Sequence, residues 1–425
     1  MCDVVTAQMD CSQETLLNQQ ELKHPGFIES VNKTFEQALY ISKHAKLQQT
    51  GYTINVIVHV LWKDTVENIN DSIIQSQIDV LNEDFNHNNS DTVKILPLFK
   101  PIVGNGMITF YLSQIVRKQT DSLFGPKASN GYLPHEMKFD TLGGDNTIDA
   151  DHYMNIWICK IQPAMSGTTP IGNILAYAFP PNGLSNWPPN SGPYYVGEDG
   201  LAVDYRCIGR NNPYPMIIYN GSTIFINGRT VTHEVGHYLG LRHIWGDKVS
   251  STTGNNGCLG DDGIADTPNA NKGSKRDCDT LRNTCVDTAL PWTTSDVVDM
   301  VQNYMDYSHD ACRHAFTQGQ VDFMNAVVAG PRVGLITPAS VNENDLAAKT
   351  VDLFPNPAGS NLNITSSKYK IQEVEICDVV GRVVAKYYFD AEKIDLSISA
   401  FERGTYVVRL TTENKIVISK KLIVE

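Results

Sequence analysis

Hydrophobic residues form two kinds of pattern along the chain. The segment YTINVIVHVLW (52–62) is an almost unbroken run of β-branched and apolar residues, which is typical of a strand. In INDSIIQSQIDVLNEDF (69–85), apolar side chains recur every three or four positions and predict a helix with one buried face. The runs MITFYL (107–112) and YMNIWIC (153–159) predict further strands. Strands that alternate with long helices favour helices layered on a sheet.

The two ends of the chain differ from this middle part. Residues 1–50 are polar, contain one predicted helix in FIESVNKTFEQALYISKHAK (27–46), and are too few to build a core alone. After a predicted linker at 333–349, short strands and turns indicate a small β-sandwich over 350–425. Its predicted strands are NLNITS, EVEICDVV, RVVAKYYF, TYVVRLTT and KIVISKKLIV. The interval 51–332 is then one central domain.

Composition and charge limit the partners. Of the 425 residues, 41% are hydrophobic and 19% are charged, which is enough apolar material for a sizeable core. The formal net charge of −13 argues against nucleic acid, because both would carry the same sign. No apolar run approaches the roughly 20 residues that span a bilayer, so we expect no stable membrane insertion.

The cysteines suggest an exported protein. Residues 182–222 and 248–300 are rich in Gly, Asn, Pro and Asp and predict long loops. Four of the nine cysteines lie in or just after the second loop: Cys258, Cys278, Cys285 and Cys312. Loops of this kind are braced by disulfides in oxidising compartments, and spacing alone allows three pairings. The alternative is four reduced thiols in a cytosolic protein.

The N-terminus lacks the basic and apolar segments of a signal peptide. We therefore expect that a signal sequence has been removed from the chain. Alternatively, Cys2 marks the start of a lipoprotein.

The segment HEVGHYLGLRH (233–243) carries the clearest chemistry. His233 and His237 are four residues apart, so both project from one helical face and suit nitrogens about 2.0–2.1 Å from one zinc ion. Gly240 permits the left-handed residue that ends the helix, so that His243 approaches the metal from another direction. Three histidine ligands leave one position open, as in catalytic zinc sites.

Glu234 lies about 100° round the helix from His233. From there it is predicted to act as general base on a zinc-bound water. A rival arrangement uses a glutamate downstream as third ligand. The next glutamate is Glu343, beyond the central domain, so the sequence favours His243.

Several motifs together resemble one peptidase family. HEVGHYLGLRH with NYMDY (303–307) resembles the metzincin metallopeptidases, and RHIWGD (242–247), IADTP (264–268) and FTQGQ (316–320) are similar to the pappalysin family. The resemblance covers about residues 52–330. It implies an α+β catalytic domain with a mixed twisted sheet and an active-site helix, and a secreted zinc endopeptidase acting on proteins and peptides.

The resemblance also implies roles for single residues. Met305 would lie in a tight turn beneath the zinc, and Tyr307 would help to stabilise the tetrahedral oxyanion. Asp310 would lie at the base of the S1′ pocket and favour cleavage before Arg, with Lys second. The implied disulfides are Cys258–Cys285 and Cys278–Cys312. As alternatives, Tyr307 and Met305 are packing residues and Asp310 is a solvated loop charge.

The stretch CLGDDGIADTP (258–268) offers hard oxygen ligands in a flexible loop, which suits calcium. The candidates are Asp262, Asp266 and the carbonyl of Thr267. The alternative is a plain acidic turn without a metal.

The N-terminal segment has a role by the same resemblance. Related pappalysins carry a pro-segment in which a cysteine thiolate occupies the open zinc position. This implies Cys11, in QMDCSQ, with Cys2 as second candidate. A Cys2–Cys11 disulfide or a tail without function are the alternatives. Activation would require a cut near KHAKLQQTG (43–51).

The C-terminal unit resembles the sorting domain of the type IX secretion system of Bacteroidetes. LFPNPAGSNLNI (353–364) and GTYVVRLTTENKIVISKKLIVE (404–425) carry this likeness. It implies the secretion machinery as partner and a secreted or cell-surface location in a Gram-negative bacterium. A generic adhesion sandwich is the alternative.

Extended substrate is expected along a sheet edge, for which ILAYAFP (174–180) is the candidate strand. Two rival functions remain at this point. One is an inactive zinc-stabilised adhesin or binding protein, and the other is a non-peptidase metallohydrolase with a small closed pocket.

Overall fold

In a computed structural model, the chain forms two compact units, Met1–Thr337 and Pro338–Glu425. The described residues are 12–44, 51–126, 133–166, 169–181, 196–217, 221, 223–224, 226–247, 258, 261–271, 273–274, 277–287, 292, 296–336, 350–378, 382–413 and 417–425. Cys2, Cys11, most of the predicted activation segment and most of the predicted linker lie outside them. No helix among these residues combines the length and the apolar composition needed to cross a bilayer.

A five-stranded sheet forms the centre of the first unit. The strands of this unit are β1 (Tyr52–Trp62), β2 (Ile108–Gln119), β3 (Met154–Cys159), β4 (Ala164–Ser166), β5 (Thr169–Gly172), β6 (Ala176–Ala178), β7 (Leu201–Asp204), β8 (Met216–Ile217) and β9 (Thr223–Ile224). The spatial order in the main sheet is β2-β1-β3-β7-β6. The strands β2, β1, β3 and β7 are parallel, and β6 is antiparallel to β7. The sheet is therefore mixed, and β6, within the segment predicted as an edge strand, lies at its edge.

The prediction that residues 182–222 form one long loop is wrong, because this range contains the strand β7. This strand is only four residues long, and all four are buried between β3 and β6. A run of three apolar residues between Gly and Asp is too short to stand out in the sequence. Its strand identity comes from pairing with neighbours that are distant along the chain.

The described residues of the first unit contain five α-helices. They are α1 (Gln13–Lys23), α2 (Phe27–His44), α3 (Asp71–Phe85), α4 (Arg229–Tyr238) and α5 (Gln318–Val328). The prediction of a single helix before residue 50 is wrong, because α1 precedes α2. Only Leu16, Leu17 and Leu22 are apolar in α1, so it lacks a helical stripe. The helix α5 was also not predicted, although Thr317 and Gln320 form a capping box at its start.

The two faces of the sheet have separate cores. On one face, alternate residues of β3 such as Ile156 and Ile158 pack in a large cluster with α3, α4 and α5. On the other face, Trp157 and Cys159 pack in a smaller cluster that includes Leu16 of α1. This alternation follows from the two-residue period of a strand. The active-site helix α4 is completely buried on the first face, beside the edge strand.

The second unit contains two antiparallel sheets around its own core. Its strands are β10 (Val351–Phe354), β11 (Asn361–Ser366), β12 (Ile371–Cys377), β13 (Val383–Ala391), β14 (Lys393–Ser397), β15 (Gly404–Thr412) and β16 (Val417–Val424). The sheets have the orders β10-β11-β14 and β13-β12-β15-β16, as in a small β-sandwich. The strands β10 and β14 are not among those predicted from the sequence. Polar residues alternate with apolar ones in β14, as in a half-buried strand, so this signal was present in the sequence.

Candidate active site

Three histidines converge on one point at the end of a buried helix. His233 and His237 lie one turn apart on α4, and Gly240, with a φ of +88°, turns the chain so that His243 returns to them. The Nε2 atom of His237 lies 3.1 Å from that of His233 and 3.2 Å from that of His243. Nitrogens about 2.0–2.1 Å from a tetrahedral zinc ion are about 3.3–3.4 Å apart, so this donor set fits one zinc.

The other ring nitrogen of the two helical histidines is turned away from this point. Nδ1 of His233 donates to the carbonyl of Tyr304 over 2.7 Å. Nδ1 of His237 donates to the carbonyl of Leu241 over 2.8 Å. Because a carbonyl oxygen only accepts hydrogen bonds, each ring carries its proton on Nδ1 and a lone pair on Nε2. This is the tautomer that a zinc ligand requires.

The third histidine is held by a carboxylate. Nδ1 of His243 lies 2.5 Å from Oδ1 of Asp247, four residues later. Burial alone would lower the pKa of His243, but the neighbouring carboxylates, first Asp247 and then Glu14 and Glu234, raise it above its usual value. Burial and the neighbouring histidines lower the pKa of His233 well below its usual value and that of His237 to about 3. Low pKa values keep these two rings neutral, which is the form that binds a metal.

Glu234 lies next to this donor set. It follows His233 on α4, and its side chain is completely buried. Both residues border a cavity of about 40 Å³ whose wall also includes Tyr307, Asp310 and Arg313. A carboxylate in such a place can accept a proton from a water molecule and pass it to a leaving nitrogen.

Met305 lies in a buried turn packed against the active-site helix. A Cβ atom added to Gly236 would lie 2.4 Å from the Met305 Sδ, so this close approach requires glycine. The side-chain oxygen of Asn303 accepts a hydrogen bond from the Met305 backbone N–H over 2.9 Å and fixes the turn. The adjacent Tyr304 carbonyl is the one that orients His233. The turn therefore supports a ligand and the helix together.

Two aromatic rings pack around His243. The Trp245 ring stacks on it, with centroids 4.5 Å apart and an interplanar angle of 4°. The Tyr307 ring meets both of these rings edge-on, with centroid distances of 4.8 Å in each case. This arrangement brings Tyr307, which is only partly buried, beside His233, His243 and the cavity.

Asp310 borders the same cavity but already has partners. Its Oδ2 accepts hydrogen bonds from the backbone N–H groups of Asn227 and Arg229, over 2.8 and 3.1 Å. Its Oδ1 accepts a hydrogen bond from the guanidinium of Arg313. The side chains of Asp310 and Arg313 are 2% and 8% exposed, so the cavity wall contains a buried ion pair. Arg313 was not identified as its partner by sequence reasoning.

The long acidic loop is braced as the resemblance implies. The structure contains the disulfides Cys258–Cys285 and Cys278–Cys312. Within the loop, Asp262 Oδ2, Asp266 Oδ1 and Thr267 Oγ1 are buried without a hydrogen-bond partner of good geometry. Burial raises the pKa of Asp262 well above its usual value, and the Ile264 N–H and the Thr267 hydroxyl offset this only in part.

Buried oxygens of this kind fit a cation, which would satisfy the lone pairs and stabilise the ionised carboxylate. Among the described residues, Asp262 and Asp266 do not belong to a compact group of three side-chain ligands. Backbone carbonyls, such as that of Thr267, would have to supply further ligands.

Asp84 is a residue near the site that sequence reasoning missed. It lies on α3 and is buried, and it accepts hydrogen bonds from the Tyr304 hydroxyl over 2.7 Å and the Thr232 hydroxyl over 2.8 Å. Since Tyr304 orients His233, Asp84 connects α3 to the active-site helix and to the turn. Sequence reasoning also gave no role to Asp247, for which the spacing of four residues from His243 was the available signal.

The N-terminal helices lie close to the histidine cluster. Gln13 of α1 and Phe35 of α2 border a cavity of about 380 Å³ that His237 and Asp247 also line. Glu14 of α1 has a carboxylate oxygen within 4.8 Å of ligand atoms of His243 and Asp247. The guanidinium of Arg242 lies 3.7 Å from the ring centroid of Phe35.

Comparisons with known proteins agree with this geometry. The family model described as pregnancy-associated plasma protein-A matches residues 144–329, and that described as secretion system C-terminal sorting domain matches residues 352–425. An extracellular metalloprotease of Arthroderma otae is 27% identical over 271 residues, which are 64% of this chain and 75% of the relative. One from Arthroderma benhamiae is 25% identical over 336 residues, 79% of this chain and 88% of the relative.

Solved structures give the same result. Mature mirolysin of Tannerella forsythia, in complex with a cleaved peptide, is 31% identical with a TM-score of 0.54 over 69% of this chain and 98% of its own. A promirolysin mutant of the same organism is 29% identical with a TM-score of 0.61 over 78% of this chain and 98% of its own. Together with the histidine cluster, these matches show that the chain belongs to the pappalysin family of zinc metalloendopeptidases and carries a type IX secretion sorting domain.

Proposed function

We propose that the chain is the zymogen of a secreted endopeptidase in which His233, His237 and His243 hold zinc and Glu234 is the general base. The observation that carries this proposal is the convergence of three Nε2 atoms beside the buried Glu234. Because the Nδ1 atoms are bonded elsewhere, all three Nε2 atoms are turned toward one point, and His233 and Glu234 also border a cavity.

Zinc, when bound, polarises the scissile carbonyl and lowers the pKa of water at the site. Glu234 takes a proton from the attacking water and delivers it to the leaving nitrogen. Burial of this side chain keeps its charge poorly screened, so that proton transfer responds strongly to the reacting groups. Tyr307 donates its phenol hydrogen to the oxyanion, and its position beside His233 and His243 supports this role.

Substrate binds as an extended strand along β6. This strand is the edge of the main sheet, and an extended peptide can add to such an edge through backbone hydrogen bonds. The cavity beside Glu234 receives the P1′ side chain. Asp310 favours Arg there, with Lys second, because its carboxylate lies in the cavity wall.

Residues 1–50 act as the pro-segment, and the Cys11 thiolate blocks the open zinc position. Cys11 lies outside the described residues, but Glu14, three residues later, approaches His243 and Asp247. The share of this chain matched by a solved structure rises from 69% for mature mirolysin to 78% for the promirolysin mutant, which supports a precursor-like N-terminus. The boundary at residue 51 and the activation cut near 43–51 belong to the same proposal.

Calcium binds in the loop with Asp262, Asp266 and Thr267, where the unpartnered buried oxygens support it. The sorting domain at 350–425 engages the type IX secretion machinery and takes no part in catalysis. These assignments complete the order pro-segment, catalytic domain (51–332), linker (333–349) and sorting domain.

A cleavage map tests the function. A denatured proteome is digested with the activated chain and with Glu234→Ala, and the new peptide N-termini are identified by mass spectrometry. We expect new N-termini, enriched in Arg and then Lys, that are absent from the variant. Cuts of another specificity would keep the peptidase and reject Asp310 as its selector. The absence of cuts after removal of residues 1–50 would favour an inactive binding protein.

A further inference from the structure

The P1′ cavity contains a cation of its own. The Arg313 guanidinium donates to Oδ1 of Asp310, the carboxylate proposed to select basic P1′ residues. Both side chains are almost completely buried and both border the cavity that also reaches His233 and Glu234. In such a poorly solvated place, charge pairing is stronger than at the surface and determines which ligand is accepted.

The hydrogen-bonding capacity of Asp310 is largely used. A carboxylate offers about four acceptor positions. Two backbone N–H groups bond to Oδ2, and the Arg313 guanidinium bonds to Oδ1. A P1′ Arg would find a carboxylate whose charge is already neutralised, and it would place a second guanidinium next to the first.

The cavity offers little enclosed space beside this ion pair. Its enclosed volume is about 40 Å³, so a long P1′ side chain that enters it comes close to both Asp310 and Arg313. The Arg313 guanidinium repels a basic side chain at this distance and leaves an uncharged one unaffected.

We propose that Arg313 is a specificity-determining residue: its guanidinium competes with a basic P1′ side chain for Asp310, weakens selection for Arg and Lys, and admits uncharged P1′ residues. This inference rests on the proposed peptidase function and on the P1′ role of the cavity. Asp310 remains the group that attracts a basic side chain, and Arg313 determines the strength of the resulting preference for Arg and Lys at P1′.

The test measures kcat/KM for four peptides that differ only in P1′: Arg, Lys, Gln and Leu. The enzymes are the activated chain and its variants Arg313→Met, Arg313→Lys and Asp310→Asn. Arg313→Met removes the charge at similar length, and Arg313→Lys is the matched control that keeps it. Thermal unfolding of each variant verifies folding, and Arg313→Gln replaces Arg313→Met if the latter does not fold.

We expect Arg313→Met to raise the Arg-to-Leu ratio of kcat/KM about tenfold, as one freed charge-assisted contact allows. The Arg313→Lys ratio should stay near that of the parent, and the Asp310→Asn ratio should fall below it. An unchanged or lower ratio in a folded, active Arg313→Met would overturn the role of Arg313 alone. No cleavage of any peptide by any of the enzymes would instead overturn the peptidase function on which it rests.

Discussion

Nδ1 of His243 lies 2.5 Å from Oδ1 of Asp247, so a carboxylate four residues along the chain orients the third histidine of the proposed zinc site. The other two ligands bond to backbone carbonyls instead. His243 is also the one ligand outside the helix, and it lacks the rigid support that α4 gives to His233 and His237. A charged partner here compensates by fixing the ring and increasing its basicity.

Removal of this carboxylate should weaken zinc binding. We expect Asp247→Ala to lower zinc affinity about 10- to 100-fold, because the ring loses its orienting partner. Competition against a chromophoric chelator measures the affinity directly. The exposed Asp261 provides a matched control, since Asp261→Ala changes the charge equally without touching a ligand. Equal affinities for the two variants would show that the contact does not support the metal.

Calcium should stabilise the protein, and the effect should grow with pH. Burial raises the pKa of Asp262 in the folded protein, so without a cation folding favours its protonated form. The stability contributed by this group is present below its unfolded pKa and is lost as pH rises toward the folded pKa. Calcium stabilises the ionised form and reverses this loss.

At a calcium concentration 100 times the Kd, the free energy of unfolding should rise by about 2.7 kcal/mol. Calorimetric unfolding with and without calcium at pH 5 and pH 8 tests this. The increase in Tm should be larger at pH 8 and absent in Asp262→Asn. The exposed Asp279 of the same loop serves as control, and Asp279→Asn should respond like the parent. A calcium response preserved in Asp262→Asn would place the ion elsewhere.

Latency should depend on one N-terminal thiol. We expect Cys11→Ala to undergo faster autolysis during expression, because a pro-segment without its thiolate blocks the open coordination position of the zinc less tightly. Cys2→Ala is the control and should keep the rate of the parent. The rate of appearance of the trimmed chain on gels gives the comparison. Faster autolysis of Cys2→Ala alone would assign the blocking thiolate to Cys2. Autolysis at the parent's rate in both variants would show that latency depends on the contacts of α1 and α2 instead.

The convergence of the three histidines was predictable because helical geometry is local. A spacing of four residues places His233 and His237 on one helical face, and Gly240 predicts that the helix ends before His243. The helices α2 and α3 likewise follow apolar periods, and the strands β1 and β3 follow nearly continuous apolar runs. Gly240 adopts the left-handed conformation that the spacing required.

The remaining features depend on contacts between distant segments. The strand β7 is too short for a period and exists because β3 and β6 flank it. Asp84 acquires its role from Tyr304, which lies 220 positions away. Arg313 is close to Asp310 in sequence, but only the fold turns both side chains into the cavity beside Glu234. Local patterns carry no information about such encounters.

The proposed mechanism requires that Glu234 acts on the substrate at a zinc centre that three histidines hold without it. Glu234→Gln separates these two roles when kcat/KM on a single cleavable peptide and the zinc content are determined on the same sample. We predict one zinc per chain, as in the parent, and a loss of about 10²- to 10⁴-fold in kcat/KM. A variant with full zinc content that cleaves the peptide at the rate of the parent would show that Glu234 is not the general base.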